Sequence, residues 1–249
     1  MGAFNGGAAL HVGQAKFREV DMRGFIGNSR SVRTYGLPAI VMLMVLAGAG
    51  PAAAIDVKLT VDEAKKVLEA GRNPMAKALE KEEKQSQEDV KKIVQQASLK
   101  TRVGADPEKD PCGTSAILRT KRYRLEAFGR QEAMESKKKQ KDVRMPDEYI
   151  KKVIDMPNLE VEVQLCGDDE YFAEGVTMAF RQKGKNIEPV DVGQADRGRK
   201  NDGDGPAFRS RFTARFAYDS FDPNATTKIY VMFPDGKLTE FEADFSKVK

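Results

Sequence analysis

Residues 159–165 read Leu159-Glu160-Val161-Glu162-Val163-Gln164-Leu165, aliphatic and polar side chains in strict alternation. Successive residues of a strand point to opposite faces, so this period of two predicts a strand with one buried and one wet face. That pattern belongs to antiparallel sheets, because parallel sheets are covered on both faces. The same period recurs further along. Val176, Met178 and Phe180 share one face, and Phe208, Phe212, Ala214, Phe216 and Tyr218 share another, opposite Arg209, Arg211, Thr213 and Arg215. Ile229, Val231 and Phe233 lead through Pro234-Asp235-Gly236-Lys237 into Phe241, Ala243 and Phe245, a hairpin with Asp-Gly turn chemistry. Upstream, Tyr123, Leu125 and Ala127 alternate with Arg122, Arg124 and Glu126 and predict one more strand. Only one helix interrupts the series, at 146–156, where Pro146 fits the first turn and Tyr149, Ile150, Val153 and Ile154 form one face. These elements predict a mainly β fold, an antiparallel two-sheet sandwich, with an immunoglobulin-like arrangement as the analogy.

The wet faces add a constraint on neighbours. Arg122, Arg124, Arg209, Arg211 and Arg215 make two strands basic outside, whereas Glu160, Glu162, Glu240, Glu242 and Asp244 make two acidic. Opposite charges across neighbouring strands contribute roughly 0.2–1 kcal/mol per pair and like charges cost a similar amount. Basic strands are therefore expected beside acidic ones, and 160–164 is not expected beside 240–244.

Before the strands, residues 55–100 are rich in Lys, Glu, Gln and Ala and predict a charged helical extension. Thr60 with Glu63, and Ser86 with Asp89, have the spacing of helix N-terminal caps, and Gly71-Arg72-Asn73-Pro74 predicts an interruption. The apolar stripes Val61, Ala64, Val67, Leu68 and Val90, Ile93, Val94, Ala97 are thin, which suits weak docking, a spacer or a partner-binding helix. Residues 101–115 are turn-rich and read as a linker into a sandwich domain at 116–249.

Residues 1–54 read differently. Arg30 and Arg33 precede an apolar run at 37–49, followed by Pro51-Ala52-Ala53-Ala54. This is the order of a secretory signal peptide, with cleavage expected between Ala54 and Ile55, and translation from Met22 would give a leader of ordinary length. The competing reading is an uncleaved membrane anchor, since 34–55 carries no charge, although a spanning helix needs about 20 apolar residues. No cysteine follows Leu46-Ala47-Gly48 to mark a lipoprotein, and Arg30 and Arg33 are not the adjacent pair of the twin-arginine route. The expected location is exported, periplasmic or secreted.

Removing 1–54 changes the balance of charge. The whole chain has 42 basic and 38 acidic residues, and 37 and 36 remain, so most of the positive excess belongs to the leader. Nucleic acid as a partner loses its electrostatic basis. The one histidine, His11, also lies in the leader, and the chain has no tryptophan. What remains has no Ser-His-Asp or Cys-His site and no histidine-ligated metal. Cys112 and Cys166 both remain, and in an oxidising compartment they are expected to pair, since a C-x-x-C redox spacing is absent.

Candidate sites are few. Asp168, Asp169 and Glu170, with Glu174 behind, are oxygen donors of the kind calcium takes, and equally the composition of a solvated turn. The run Asn201-Asp202-Gly203-Asp204-Gly205 resembles a calcium loop but puts Lys200 and Arg211 at ligand positions, so 193–205 is expected to be a flexible insert. Lys137-Lys138-Lys139-Gln140-Lys141, in the connection before the 146–156 helix, could meet an anionic lipid or polymer, and Asn224-Ala225-Thr226 matches a glycan acceptor. No catalytic or cofactor fingerprint is present, and no cofactor is expected. The leading expectation is an exported, non-enzymatic binding or assembly module contacting protein or an envelope polymer, of unread oligomeric state. A carboxylate-dependent hydrolase on the same scaffold and a membrane-tethered structural protein are the alternatives. An enzyme should show a concave pocket of converging carboxylates, and a binding module a flat apolar patch or a sheet edge.

Overall fold

The alternation at 159–165 forms the strand it predicts, at the centre of a sheet. A computed structural model describes residues 55–201 and 205–248. In chain order the helices and first strands are α1 (Val61–Leu79), α2 (Glu83–Leu99), β1 (Arg102–Gly104), β2 (Ser115–Arg119), α3 (Lys121–Lys139) and α4 (Asp147–Ile154). There follow β3 (Asn158–Gly167), β4 (Thr177–Gln182), β5 (Lys185–Ile187), β6 (Asp191–Val192), β7 (Arg199–Lys200), β8 (Phe208–Ala217), β9 (Thr226–Met232) and β10 (Leu238–Asp244). The expected leader, the cleavage expected between Ala54 and Ile55, and a start at Met22 concern residues outside those described.

Two antiparallel sheets result. One has the order β1-β2-β3-β8-β6, with β7 also paired to β8, and the other β10-β9-β4-β5. Val161, Val163, Phe212 and Phe216 of the first share a core with Met178, Phe180, Ile229 and Val231 of the second. Phe180 stacks on Phe216 with ring centroids 3.7 Å apart, and Phe245 meets Phe180 edge-on at 5.4 Å. Aromatic pairs of this kind add about 0.5–1.5 kcal/mol beyond their burial, so the sandwich-like packing is pinned at its centre. The expected hairpin forms with Met232 opposite Leu238, and Gly236 takes the left-handed turn position at φ 85°.

The charge constraint holds for the strand pair β3 and β8. The basic stretch with Arg122 and Arg124 is instead helical, and acidic β10 pairs with β9, which is not one of the two strands expected to be basic. Acidic β3 lies between β2 and β8, with Glu160 opposite Arg215 and Gln164 opposite Arg211, while β10 pairs with β9, where Lys228 and Glu240 meet at 2.5 Å. The 160–164 and 240–244 stretches are in different sheets.

Four expectations are corrected. Residues 122–128 are not a strand but the start of α3, and the helix begins because the Thr120 hydroxyl accepts a hydrogen bond from Tyr123 N at 3.1 Å. Its buried residues, Lys121, Leu125, Gly129, Arg130, Glu132 and Ala133, recur at helical spacing, yet half of them are charged. Gly71 and Pro74 do not interrupt the first helix, which runs unbroken over Val61–Leu79 behind the expected Thr60–Glu63 capping box. The second helix starts at Glu83 rather than near Ser86. The insert expected to be flexible is ordered over 193–201, because Gly193 N and Asp196 N donate to Thr213 O and Arg211 O, both at 2.8 Å, along the edge of β8.

The cores do not follow the division at 55–100, 101–115 and 116–249. Ala64, Val67 and Leu68 of α1 pack with Leu125, Ile150 and Val153 from α3 and α4, a second core distinct from the sandwich. Residues 55–59 connect the two, with Ile55 in the sandwich core and Leu59 in the helical one. Buried Lys121 fastens this connection by donating to Val57 O at 2.8 Å and to Ile154 O. The 101–115 stretch carries β1, so it is part of the first sheet, and α2 buries only Ala97.

The charged face of β3 gives the first prediction. Glu160, with a side chain only 12 % exposed, lies 2.9 Å from Arg124, 3.0 Å from Arg119 and 3.5 Å from Arg215. Burial pushes its carboxyl up, but Arg124, Arg119 and Arg215 outweigh that and hold it below the ordinary value. A carboxylate with a depressed folded pKa stabilises the fold above its unfolded value of about 4.3, and the contribution is lost as pH falls through the folded value. Glu160→Gln should therefore be less stable than the parent at pH 7, and should lose less stability on acidification below about pH 4.3. Denaturant midpoints across this range check it, and parallel curves would refute it.

Candidate functional site

The register gathers cations at one end of the first sheet. Cys166 lies opposite Arg209, Gln164 opposite Arg211, and Arg199 opposite Arg209. Directly paired residues of an antiparallel ladder share a face, so these side chains stand together. On the other flank Ser115 lies opposite Gln164, and the Arg102 guanidinium donates to Ser115 Oγ at 2.6 Å and Gln164 Oε1 at 2.9 Å. The 106–113 turn is held over this end by the expected Cys112–Cys166 disulfide, with Cα atoms 5.3 Å apart. Asn201 Nδ2 donates to Pro206 O at 3.1 Å and Cys112 Sγ at 3.4 Å, which fixes the approach to β8 beside the disulfide. The walls enclose a cavity of about 330 Å³, lined also by Asp110, Asp196, Arg197 and Lys200. That volume is at the lower end of the roughly 300–1,000 Å³ typical of small-ligand sites.

The electrostatics are one-sided. Arg197 is matched by Glu170 at 2.5 Å, which holds its guanidinium above the ordinary range, and Arg211 by Glu162 at 3.6 Å. Among the described residues Arg102, Arg199, Lys200 and Arg209 have no carboxylate within 4.0 Å. Arg199 and Arg209 face each other directly, an arrangement that costs roughly 0.2–1 kcal/mol where nothing neutralises it. Burial pulls the Arg102 guanidinium below its ordinary value, against Glu162, Tyr123 and Asp106, and its Nε is buried without an acceptor. An unsatisfied buried donor costs about 1–3 kcal/mol. Exposed guanidiniums facing one another without a carboxylate, with a partly desolvated one on the opposite flank, are the chemistry of an anion site.

The sites singled out from sequence are placed as follows. Asp168, Asp169, Glu170 and Glu174 do not converge, and no group of three or more potential metal ligands gathers among the described residues. Asp169 instead accepts from Tyr171 N at 2.8 Å, and Glu170 holds Arg197. Lys137, Lys138 and Lys139 are the last turn of α3 rather than a connecting loop, where cations complement the helix dipole. Asn224 is exposed in the turn before β9, Gly205 has φ 113° beside Cys112, and Asp202 and Asp204 lie outside the described residues. Among the described residues, each carboxylate displaced from its ordinary pKa is displaced downward by neighbouring donors, as at Glu160, Asp142 and Asp222. Among the described residues no helix is long and apolar enough to cross a membrane.

Sequence reasoning marked Arg209 and Arg211 as a wet face but missed their partners. Arg102 sits in the expected linker and Arg199 in the expected insert, and the near-neutral total charge gives no sign that these cations converge. No protein-family profile, no curated protein and no solved structure matches the chain.

Proposed function

We propose that the chain is exported, loses residues 1–54, and acts as a non-enzymatic binding module for an anionic partner, such as an envelope polymer, held in the cationic cavity. One observation carries this reading: the Cys112–Cys166 disulfide forms a wall of that cavity, so the site is complete only where disulfides persist. The basic, apolar and small-residue order of 30–54 agrees with that compartment, and Ile55, the residue after the expected cleavage point, is a core residue at 2 % exposure. A chain beginning at Ile55 retains the residues of both cores.

The test is the fate of the full chain in a Gram-negative host. Fractionation and N-terminal sequencing should find a periplasmic form beginning at Ile55 with no free thiol. Recovery of an unprocessed chain in the cytoplasm, or in the membrane with its leader attached, overturns the export reading.

A further inference from the structure

We infer that the cavity at the disulfide end of the first sheet is a site for a phosphate monoester group. The inference rests on the reading of that cavity as the binding site and adds the chemistry of its ligand. Six cationic and two acidic side chains line the cavity, and two of the cations, Arg197 and Arg211, are matched by Glu170 and Glu162 from outside the lining. Among the described residues, Arg102, Arg199, Lys200 and Arg209 are then set against Asp110 and Asp196, an excess of two positive charges. A single carboxylate or a sulfate ester brings one negative charge, whereas a phosphate monoester brings about 1.5 to 2 at pH 7.

Hydrogen-bond geometry selects the same group. Guanidiniums present planar forks that meet phosphate oxygens in pairs, and three tetrahedrally disposed oxygens can engage several forks at once. Arg199 and Arg209 approach from paired strands, Arg211 lies two residues along the same face, and Arg102 lines the cavity from the opposite flank. Dianion binding also relieves the facing pair Arg199 and Arg209. At about 330 Å³ the cavity has room for the group and part of what carries it. The carrier is either a small ester or a polymer bearing phosphate.

Calorimetric titration of the full chain, disulfide oxidised, decides the matter with four probes: glycerol 3-phosphate, succinate, dextran phosphate and dextran sulfate. Glycerol 3-phosphate should bind at one site at least tenfold more tightly than succinate, and dextran phosphate at least tenfold more tightly than dextran sulfate. Whichever phosphate probe binds tighter identifies the source, and either order supports the assignment. Arg199→Ala and Arg209→Ala should each lose at least tenfold. Both residues are exposed and lack an ion pair among the described residues, so denaturant midpoints that hold or rise, as relief of the facing pair would make them, will separate lost binding from lost fold. Arg209→Lys keeps the charge without the fork and should lose affinity as well. Replacing Lys137, Lys138 and Lys139 with Gln should change nothing. Equal binding of phosphate and non-phosphate probes, still abolished by Arg209→Ala, overturns the phosphate assignment but leaves the cavity as the binding site. Absence of binding by every probe, or loss only in the lysine variant, overturns both.

Discussion

Gly129→Ala is expected to destabilise the protein by about 2–3 kcal/mol, against the stabilisation of up to about 1 kcal/mol that helix propensity alone assigns to that substitution. The reason is how closely α1 and α3 approach. A methyl group at Gly129 would fall on the carbonyl of Leu68 and within 2.9 Å of Arg72 N, and one at Gly71 would fall on the carbonyl of Glu126 and within 2.7 Å of its Cα. These obstacles are backbone atoms, which cannot rotate aside as a side chain would. The helices must separate, and separation loosens the small core of Leu68, Leu125, Ile150 and Val153. Gly71→Ala should behave alike. The double variant should cost less than the sum, because the first methyl already holds the helices apart. Denaturant midpoints at constant slope measure all three. Variants as stable as the parent would mean that the close approach does not constrain the fold.

That glycine pair shows where the sequence was readable and where it was not. The sandwich strands were legible because one solvated face and one apolar core impose alternation for up to ten residues, as in Asn158–Gly167 and Phe208–Ala217. Helix α3 was illegible because its buried stripe includes Lys121, Gly129, Arg130 and Glu132, which no hydrophobic period reveals. Three of them are buried for different reasons. Lys121 reaches two backbone carbonyls, Glu132 meets Arg72 at 3.4 Å, and Gly129 lets a neighbouring backbone in. Gly71 likewise read as a breaker when its role is proximity. Strands β6 and β7 have two residues each, too few to display a period, and β7 brings Arg199 to the site. The cavity draws on five separate segments, so nothing local in the sequence announces it. Only the disulfide that closes it could be anticipated, from the number of cysteines and the compartment.

Replacing Cys112 and Cys166 together with Ser should lower stability by about 4 kcal/mol, the largest effect expected of any change discussed. Their sequence separation is 54, and the chain-entropy model assigns closure of such a loop about 4 kcal/mol, within the 2–5 typical of native disulfides. Much of the closed loop is already ordered by α3, α4 and β3, so the gain lies in restricting the unfolded chain rather than in local contacts. Locally the bridge does a second thing. Between Arg102–Gly104 and Ser115–Arg119, the turn is held by short-range bonds such as Asp110 N to Asp106 O at 2.8 Å and Gly113 N to Asp110 O at 3.2 Å, by an exposed bond from Gln95 Nε2 to Glu108 Oε1 at 2.6 Å, and by the bridge itself. Without the bridge, Pro107, Asp110 and Pro111 cease to be a fixed wall of the cavity. Stability and anion binding should therefore fall together, and a reductant should reproduce in the parent both losses seen in the double-serine variant. Denaturation and glycerol 3-phosphate titration with and without reductant measure them side by side. Undiminished binding in a destabilised variant would show that the wall stands without the bridge, and the disulfide would then contribute stability alone.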